Sequence, residues 1–208
     1  RRLSIFANGV GTASAAMNRD VMLGINAIAT GTASVDLTVE SGGGGASALT
    51  TTREWRGDCN PDPVYSFSDP EHTLSGGGDY RTSNEISFAY SLYPMGDIDV
   101  QARVKTLPSG IWKAVGIAIW NPNMAASDVD SVSAQIVIRG LSSLYIHGFV
   151  RRRDDGIDSF GQDGSLGSDL LAYPYLRIQV TGNMCGVYYS ADGSNWTTLA
   201  GPYSLLDG

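Results

Sequence analysis

The sequence predicts an all-β fold, an antiparallel two-sheet sandwich of the jelly-roll type with an irregular amino-terminal segment. From residue 86 onward, short β-rich runs follow one another with no amphipathic helix between them. In one such run Leu176, Ile178 and Val180 alternate with polar residues, which is the period of a strand buried on one side. The chain is also rich in Gly and Asp, which favour turns, and poor in the Glu and Lys typical of long helices.

The first expected segment, residues 1–45, is an amino-terminal arm that mediates assembly. Ala13–Ile28 is rich in Ala and Met and predicts a short helix, although Gly24 weakens it. Val35–Val39 alternates cleanly and predicts a strand. The glycines at 42–45 follow it and indicate a flexible hinge.

The second expected segment, residues 46–79, is a loop-rich connection. Three prolines and the glycines at 76–78 interrupt it, so a single strand near Val64–Phe67 is predicted there. His72 falls in a stretch flanked by Pro and Gly and is expected in a loop.

The third segment, residues 80–208, carries the sandwich. Its predicted strands are 86–93, 97–106, 112–120, 131–140, 143–151, 175–181, 184–190 and 196–200. Tyr175–Trp196 is expected to form an antiparallel meander, because Thr181–Asn183 and Ala191–Asn195 supply the turn residues between strands. On the strand that begins near Asp97, alternate residues are expected to face outward and inward.

The charge balance argues against nucleic acid as a partner. The net charge is −7, and Lys occurs only at 105 and 113. Phosphate binding needs clustered positive charge, and the single basic run, Arg151–Arg153, is followed at once by Asp154 and Asp155. No apolar run approaches the roughly 20 residues that span a bilayer, so no membrane insertion is expected.

Two resemblances suggest a family context. "LSIFAN" at Leu3–Asn8 and "TASVDLTVESGGGG" at Thr32–Gly45 resemble the opening of bacteriophage tail and other virion proteins. The segments Asp97–Val104, Trp112–Ile117 and Tyr175–Ile178, and "YYSADGSNW" at Tyr188–Trp196, resemble concanavalin A-like (laminin-G-like) jelly rolls over roughly residues 80–208. The first resemblance implies packing in a viral particle. The second implies two curved sheets, with a carbohydrate site on the concave face or at its rim.

Catalysis is not expected. Glucanases of the concanavalin A-like superfamily carry Glu-x-Asp-x-x-Glu on one strand, with two carboxylates about 5 Å apart. In the comparable strand of this chain, Asp97 occupies the position of the first Glu of the motif and Ala102 that of the last. Gln101 cannot supply the missing carboxylate. A nucleophile would also need a positioned base. Neither His72 nor His147 has the spacing of a triad member or metal ligand.

No cofactor is expected, although calcium stays open. Lectin-like jelly rolls often hold calcium through loop aspartates, and the candidates here are Asp128 with Asp130, and Asp154 and Asp155 with Asp158. Solvated turn carboxylates are the favoured alternative. Two cysteines, Cys59 and Cys185, cannot form a disulfide framework, and two free thiols are favoured over one bridge.

The remaining candidate for function is a binding surface. Outward positions on several strands are polar or aromatic, and a shared platform would hydrogen-bond and stack on a sugar. The candidate carbohydrate-binding residues are Gln135, Arg139, Tyr145, His147, Arg151, Arg177 and Gln179. Trp112 and Trp120 share a face with small residues between them, which suits either a groove or close sheet packing.

The expected function is that of a non-enzymatic bacteriophage virion structural protein, such as a tail-fibre, tail-tip or capsid-surface (capsid-decorating) module, whose lectin-like domain contacts host glycans. The expected partners are other virion proteins or further copies of the chain, bound through the arm, and the expected location is the virion or the extracellular space. The alternative is a carbohydrate-binding module of a secreted bacterial polysaccharide-degrading enzyme.

Overall fold

The structure is a computed structural model. It describes residues 20–28, 31–40, 51–55, 64–68, 71–76, 86–94, 97–107, 113–120, 132–140, 144–151, 158–163, 172–182 and 184–204. Every strand pair among them is antiparallel, and these residues contain no helix. The coarse prediction of an all-β fold is therefore confirmed for the described residues. No helix that could span a bilayer occurs in the described part of the chain.

The described residues form fourteen strands. In chain order they are β1 (Asp20–Ile28), β2 (Gly31–Glu40), β3 (Thr51–Trp55), β4 (Val64–Ser68), β5 (Glu71–Gly76), β6 (Ile86–Pro94), β7 (Ile98–Thr106), β8 (Lys113–Trp120), β9 (Val132–Gly140), β10 (Leu144–Arg151), β11 (Asp158–Asp163), β12 (Tyr175–Thr181), β13 (Met184–Ser190) and β14 (Thr197–Ser204).

The strands build two seven-stranded sheets. The first sheet has the order β11-β10-β9-β8-β1-β6-β3, and the second has the order β14-β13-β12-β7-β2-β5-β4. β1 lies between β8 and β6, whereas β2 lies between β7 and β5. The first two described strands therefore occupy interior positions, one in each sheet.

One hydrophobic core joins the two sheets. The second sheet contributes alternate residues, such as Val100 on β7 and Ile178 on β12, and the first contributes Ile117 on β8 and Ile136 on β9; all four are fully buried. The intervening residues of β7 and β12 are at least partly exposed. Period-2 alternation in the sequence thus becomes an inner apolar face and an outer polar face.

In the middle of the first sheet, both faces are covered. Every residue from Ala114 to Ile119 on β8 is buried, and so are those from Ala134 to Ile138 on β9. Gly116 is needed at the contact of these strands, since a Cβ there would lie 2.0 Å from the carbonyl oxygen of Ile136. The sequence of a strand buried on both sides is a nearly continuous apolar run, as it is in β8.

Most of the predicted strands are confirmed. β6 to β10 and β12 to β14 match the eight expected in residues 80–208, with small shifts at their ends, although β14 runs four residues further, to Ser204. The strand near Val64–Phe67 is β4, and Val35–Val39 lies within β2. The three-strand meander is β12, β13 and β14.

The predicted helix over Ala13–Ile28 is wrong where the structure describes it, because residues 20–28 form strand β1. The physical reason is tertiary. β1 hydrogen-bonds to β6 on one side and β8 on the other, and two such ladders outweigh a weak helical propensity that Gly24 already lowers. Residues 13–19 lie outside the described residues.

The expected loop between residues 46 and 79 contains three strands rather than one, β3, β4 and β5. His72, expected in a loop, is a fully buried residue of β5. Strands from all three expected segments share the two sheets. Within its described residues, the expected arm is therefore part of both sheets.

Candidate functional site

The structure divides the predicted binding residues between the two sheets. Gln135 and Arg139 lie on β9, and Tyr145, His147 and Arg151 lie on the adjacent strand β10. Arg177 and Gln179 lie on β12 of the other sheet. Arg139 is directly opposite Tyr145 in the ladder. The seven residues therefore form two separate groups, not one platform.

In the group on the first sheet, the structure describes the burial of Gln135, Tyr145 and His147, and none of these three is exposed. Gln135 is 7% exposed and His147 is 8% exposed, whereas Tyr145 is half-buried. Ala114 and Val137 form a small buried apolar cluster away from the main core. Gln135 and His147 were expected on an open face, but they are buried and offer little surface to a sugar.

The group on the second sheet belongs to an accessible polar surface. Arg177 donates from Nε to Asp99 Oδ1 at 2.8 Å and from Nη2 to Asp99 Oδ2. Gln179 Nε2 also donates to Asp99 Oδ2, at 3.4 Å. Because Gln179 pairs with Asp99 across β12 and β7, while Arg177 pairs with Gln101, these side chains share the outer side of the sheet.

Two aromatic rings flank the same guanidinium. The Arg177 Cζ lies 5.3 Å from the centroid of the Trp196 ring and 5.9 Å from that of Tyr188. Both distances are within the range of a cation–π contact. Arg177 is therefore held by a carboxylate and by two rings, so its position is fixed by several independent contacts.

Tyr188 lies against the strand because Gly186 has no side chain. A Cβ at Gly186 would be 2.4 Å from the Tyr188 hydroxyl oxygen and 2.8 Å from its Cζ. The ring therefore extends along β13 over this glycine. Since Tyr188 is only half-buried, part of this ring stays open to a ligand.

A second arginine–aromatic contact lies beside the first. The Arg103 Cζ is 5.7 Å from the ring centroid of Tyr175, and these residues are opposite each other in the β7–β12 ladder. Tyr175 also packs on the turn after β13, where a Cβ at Gly193 would be 3.0 Å from the ring. Gly193 has a φ of +75°, which glycine adopts without strain.

Asp192 organises that turn. Its Oδ1 accepts from the backbone N–H groups of Ser194 and Asn195, each at 2.8 Å, and its Oδ2 accepts from the Asn195 side chain at 2.7 Å. The backbone N–H of Asn195, its side-chain amide, the N–H of Ser194 and the Ser190 hydroxyl together hold the pKa of Asp192 well below its ordinary range. The turn places Trp196 beside Arg177.

We call this surface the arginine–aromatic face. It consists of Asp99, Arg103, Tyr175, Arg177, Gln179, Tyr188 and Trp196. It combines planar apolar rings, which can stack on a ligand, with charged groups in defined positions, which can hydrogen-bond to one.

The two carboxylates considered for catalysis have structural partners. Asp99 is held by Arg177 and Gln179, and Asp97 Oδ1 accepts from the backbone N–H of Gly182 at 2.7 Å. As predicted, Asp97, Asp99 and Gln101 are at least partly exposed, whereas the residues between them are buried. Asp99 is therefore a positioning group for Arg177.

No group of three or more His, Cys, Asp or Glu within reach of one metal ion occurs in the described ranges. Of the calcium candidates, Asp128, Asp130, Asp154 and Asp155 lie outside these ranges, and Asp158 begins β11. Cys185 is a buried free thiol, and Cys59 lies outside the described residues. Burial raises the pKa of the Cys185 thiol to about 12.

Five residues of the arginine–aromatic face were missed as binding candidates: Asp99, Arg103, Tyr175, Tyr188 and Trp196. A signal for them was present. Tyr175 alternates with Arg177 and Gln179, and Tyr188 and Trp196 lie at the two ends of the motif YYSADGSNW. Their convergence depends on the pairing of β7, β12 and β13, which the sequence alone does not specify.

Comparisons of the chain with protein-family models, with curated proteins and with solved structures found no match.

Proposed function

We propose that this protein is a non-enzymatic carbohydrate-recognition protein that binds glycans on the arginine–aromatic face. The observation that carries the proposal is the position of Arg177, which is fixed between Asp99, Tyr188 and Trp196 on the outer side of the second sheet.

The proposal follows from the chemistry of sugars. One face of a pyranose ring presents mainly C–H groups and stacks on a flat aromatic ring, whereas its hydroxyl groups need donors and acceptors at the rim. Tyr188 and Trp196 supply rings, Arg177 and Gln179 supply donors, and Asp99 supplies an acceptor. Because Arg177 is already ordered, binding loses little side-chain entropy.

We propose a bacteriophage virion as the setting, with a concanavalin A-like jelly roll as the fold. Two seven-stranded antiparallel sheets around one core support the fold assignment. The resemblance of the amino-terminal sequence to virion proteins supports the setting. The alternative remains a carbohydrate-binding module of a secreted polysaccharide-degrading enzyme, since either setting uses the same binding face.

Binding to a glycan panel, followed by calorimetry with the best ligand, tests the recognition function. We expect Tyr188→Ala and Trp196→Ala each to weaken binding by about tenfold, the loss of one ring contact. Tyr173→Ala is the matched control, because Tyr173 is 38% exposed but packs edge-on against Tyr189, away from this face. Absence of binding across the panel, or equal affinity in all three variants, would overturn the proposal.

Removal of residues 1–19 distinguishes the two settings. This truncation leaves every described strand in place, whereas removal of residues 1–45 would delete β1 and β2. The virion setting predicts that large assemblies of the full chain disappear on truncation, with glycan binding retained. Identical assembly with and without residues 1–19 would favour the secreted-enzyme alternative.

A further inference from the structure

Among the described strands, the two sheets end in four edges that differ in their suitability for pairing with another strand. β3 and β11 are the edges of the first sheet, and β4 and β14 are the edges of the second. Proteins protect sheet edges with charged residues, proline or irregular backbone, because an unprotected edge pairs with other chains.

Three of the edges carry such protection. β3 has Arg53 and Glu54 in its five residues, and β11 has an aspartate at each end. β14 contains Pro202 and pairs with β13 through two register shifts. β4, with the sequence VYSFS, has no charge, proline or glycine, and its aromatic and β-branched residues favour strands.

The outer side of β4 is accessible. Val64 is 63% exposed, and Ser66 and Ser68 are exposed as well. Tyr65 and Phe67 point to the core side, where the Tyr65 hydroxyl lies 2.9 Å from His72 Nδ1 and the Phe67 ring centroid lies 4.7 Å from that of His72. Both rings are only half-buried, so the inner apolar layer continues to this edge of the sheet.

We propose that β4 pairs antiparallel with β4 of a second copy of the chain, which makes a two-fold symmetric dimer with a continuous sheet. Symmetric pairing centred on Ser66 sets Tyr65 opposite Phe67 of the other copy and Val64 opposite Ser68. Aromatic cross-strand pairs stabilise such a ladder, and each pair covers ring surface that is exposed in the single chain.

The partner at the β4 edge is a second copy of the chain, because the β4 sequence is complementary to itself in a two-fold pairing. In a two-fold pairing the central residue of the strand faces itself, and the two ends face each other. β3 would set Arg53 against Arg53, and β11 would set Asp158 against Asp163. β4 sets uncharged residues against uncharged residues, which also limits repulsion between two chains of net charge −7.

The mass of the full chain in solution, measured by light scattering and sedimentation over a wide range of concentrations, tests the dimer. We expect a dimer that Ser66→Lys converts to a monomer, because two lysines would face each other at the dyad. Thr198→Lys, at an exposed position on the opposite edge of the same sheet, is the control and should stay dimeric. A monomeric wild-type chain, or a Ser66→Lys dimer, would overturn the proposal.

Cross-linking tests the register without disturbing the fold. Opposed residues of antiparallel strands have Cα atoms about 4.5 or 5.5 Å apart, and both spacings suit a disulfide. We therefore expect Ser66→Cys, in a Cys59→Ser background, to oxidise to a covalent dimer, and Thr198→Cys not to. Equal cross-linking of the two variants would count against pairing at β4.

The dimer does not depend on glycan recognition. Ser66→Lys alters an edge strand that lies four strands from β12 in the second sheet, so its glycan affinity per chain should match that of the wild type. If the wild-type chain binds glycans but is monomeric, the dimer proposal alone fails; if it is dimeric but binds no glycan, the recognition proposal alone fails.

Discussion

Arg177 on β12 and Asp99 on β7 form a two-point ion pair across neighbouring strands, with Nε donating to Oδ1 at 2.8 Å. Their side chains are 19% and 17% exposed, so the pair is partly shielded from water and salt. The contact ties the two strands together on the outer face while Val100 and Ile178 pack on the inner face. Asp99 is therefore one of the contacts that fix Arg177 within the arginine–aromatic face.

Asp99→Asn should destabilise the protein by about 2 kcal/mol, because a hydrogen-bonded charge pair is lost and Arg177 keeps its charge. Urea unfolding followed by fluorescence measures this difference. Asp97→Asn is the matched control. Asp97 is exposed, and an asparagine oxygen still accepts the Gly182 N–H, so the change should stay within about 0.5 kcal/mol. Equal unfolding midpoints for both variants would contradict a structural role of the ion pair.

Two glycine-to-alanine substitutions should differ in their effect on the stability of the protein. Gly116→Ala places a Cβ against the backbone of Ile136, which cannot move without disturbing the β8–β9 ladder, so a loss of more than about 2 kcal/mol is expected. Gly186→Ala meets mainly the far end of the Tyr188 side chain, which can rotate away.

For Gly186→Ala we therefore expect a small change in stability but a clear loss of glycan affinity, because Tyr188 no longer lies along the strand. Thermal unfolding and calorimetry on the same samples separate the two effects. Retained affinity in a well-folded Gly186→Ala protein would show that the orientation of Tyr188 is unimportant for binding.

The turn around Asp192 should make stability depend on pH in the acid range. The pKa of Asp192 is lowered in the folded state, chiefly by the hydrogen bond from the Asn195 N–H, so the ionised form favours folding. This contribution is complete above the ordinary aspartate pKa of about 3.9 and is lost as pH falls through the lower folded-state value.

Melting temperatures of the wild type and Asp192→Asn, measured from neutral to strongly acid pH, test this direction of the pH dependence of stability. The wild type should be the more stable at neutral pH, and the two curves should converge in acid. Ser194→Ala is a suitable control, since the backbone N–H of residue 194 donates to Asp192 and survives the substitution. A constant difference between the curves would contradict the titration of Asp192.

The thiol of Cys185 should be unreactive in the native protein. Burial raises its pKa to about 12, so almost no thiolate exists at neutral pH. In a Cys59→Ser variant, we expect alkylation only after addition of denaturant. If the native protein were labelled as fast as a solvent-exposed thiol, this part of the core would have to open readily.

The parts of the fold that sequence predicted best are those with local signals. Alternation at Leu176, Ile178 and Val180, with the turn at Ala191–Asn195, was sufficient to place the meander of β12 to β14. β1 was missed because its strand state depends on β6 and β8, which are distant in sequence. Local propensity carries no information about such partners.

The candidate site was predicted only in part for the same reason. Arg177 and Gln179 were identified from their alternation on β12. Gln135 and His147 alternate in the same way but are buried, because the first sheet is covered on both faces near β9. A polar residue at an alternating position indicates a face of the sheet, and only the packing shows whether that face meets solvent.

The interior positions of β1 and β2 have a consequence for how the chain reaches its native state. These strands precede their partners in the chain, because their ladders need β6 and β8, and β5 and β7, whose paired residues follow up to 98 positions later, as Trp120 follows Met22. Such long-range closure is expected to make folding slow and largely post-translational. Until those later strands emerge, β1 and β2 have none of the strand partners that flank them in the two sheets.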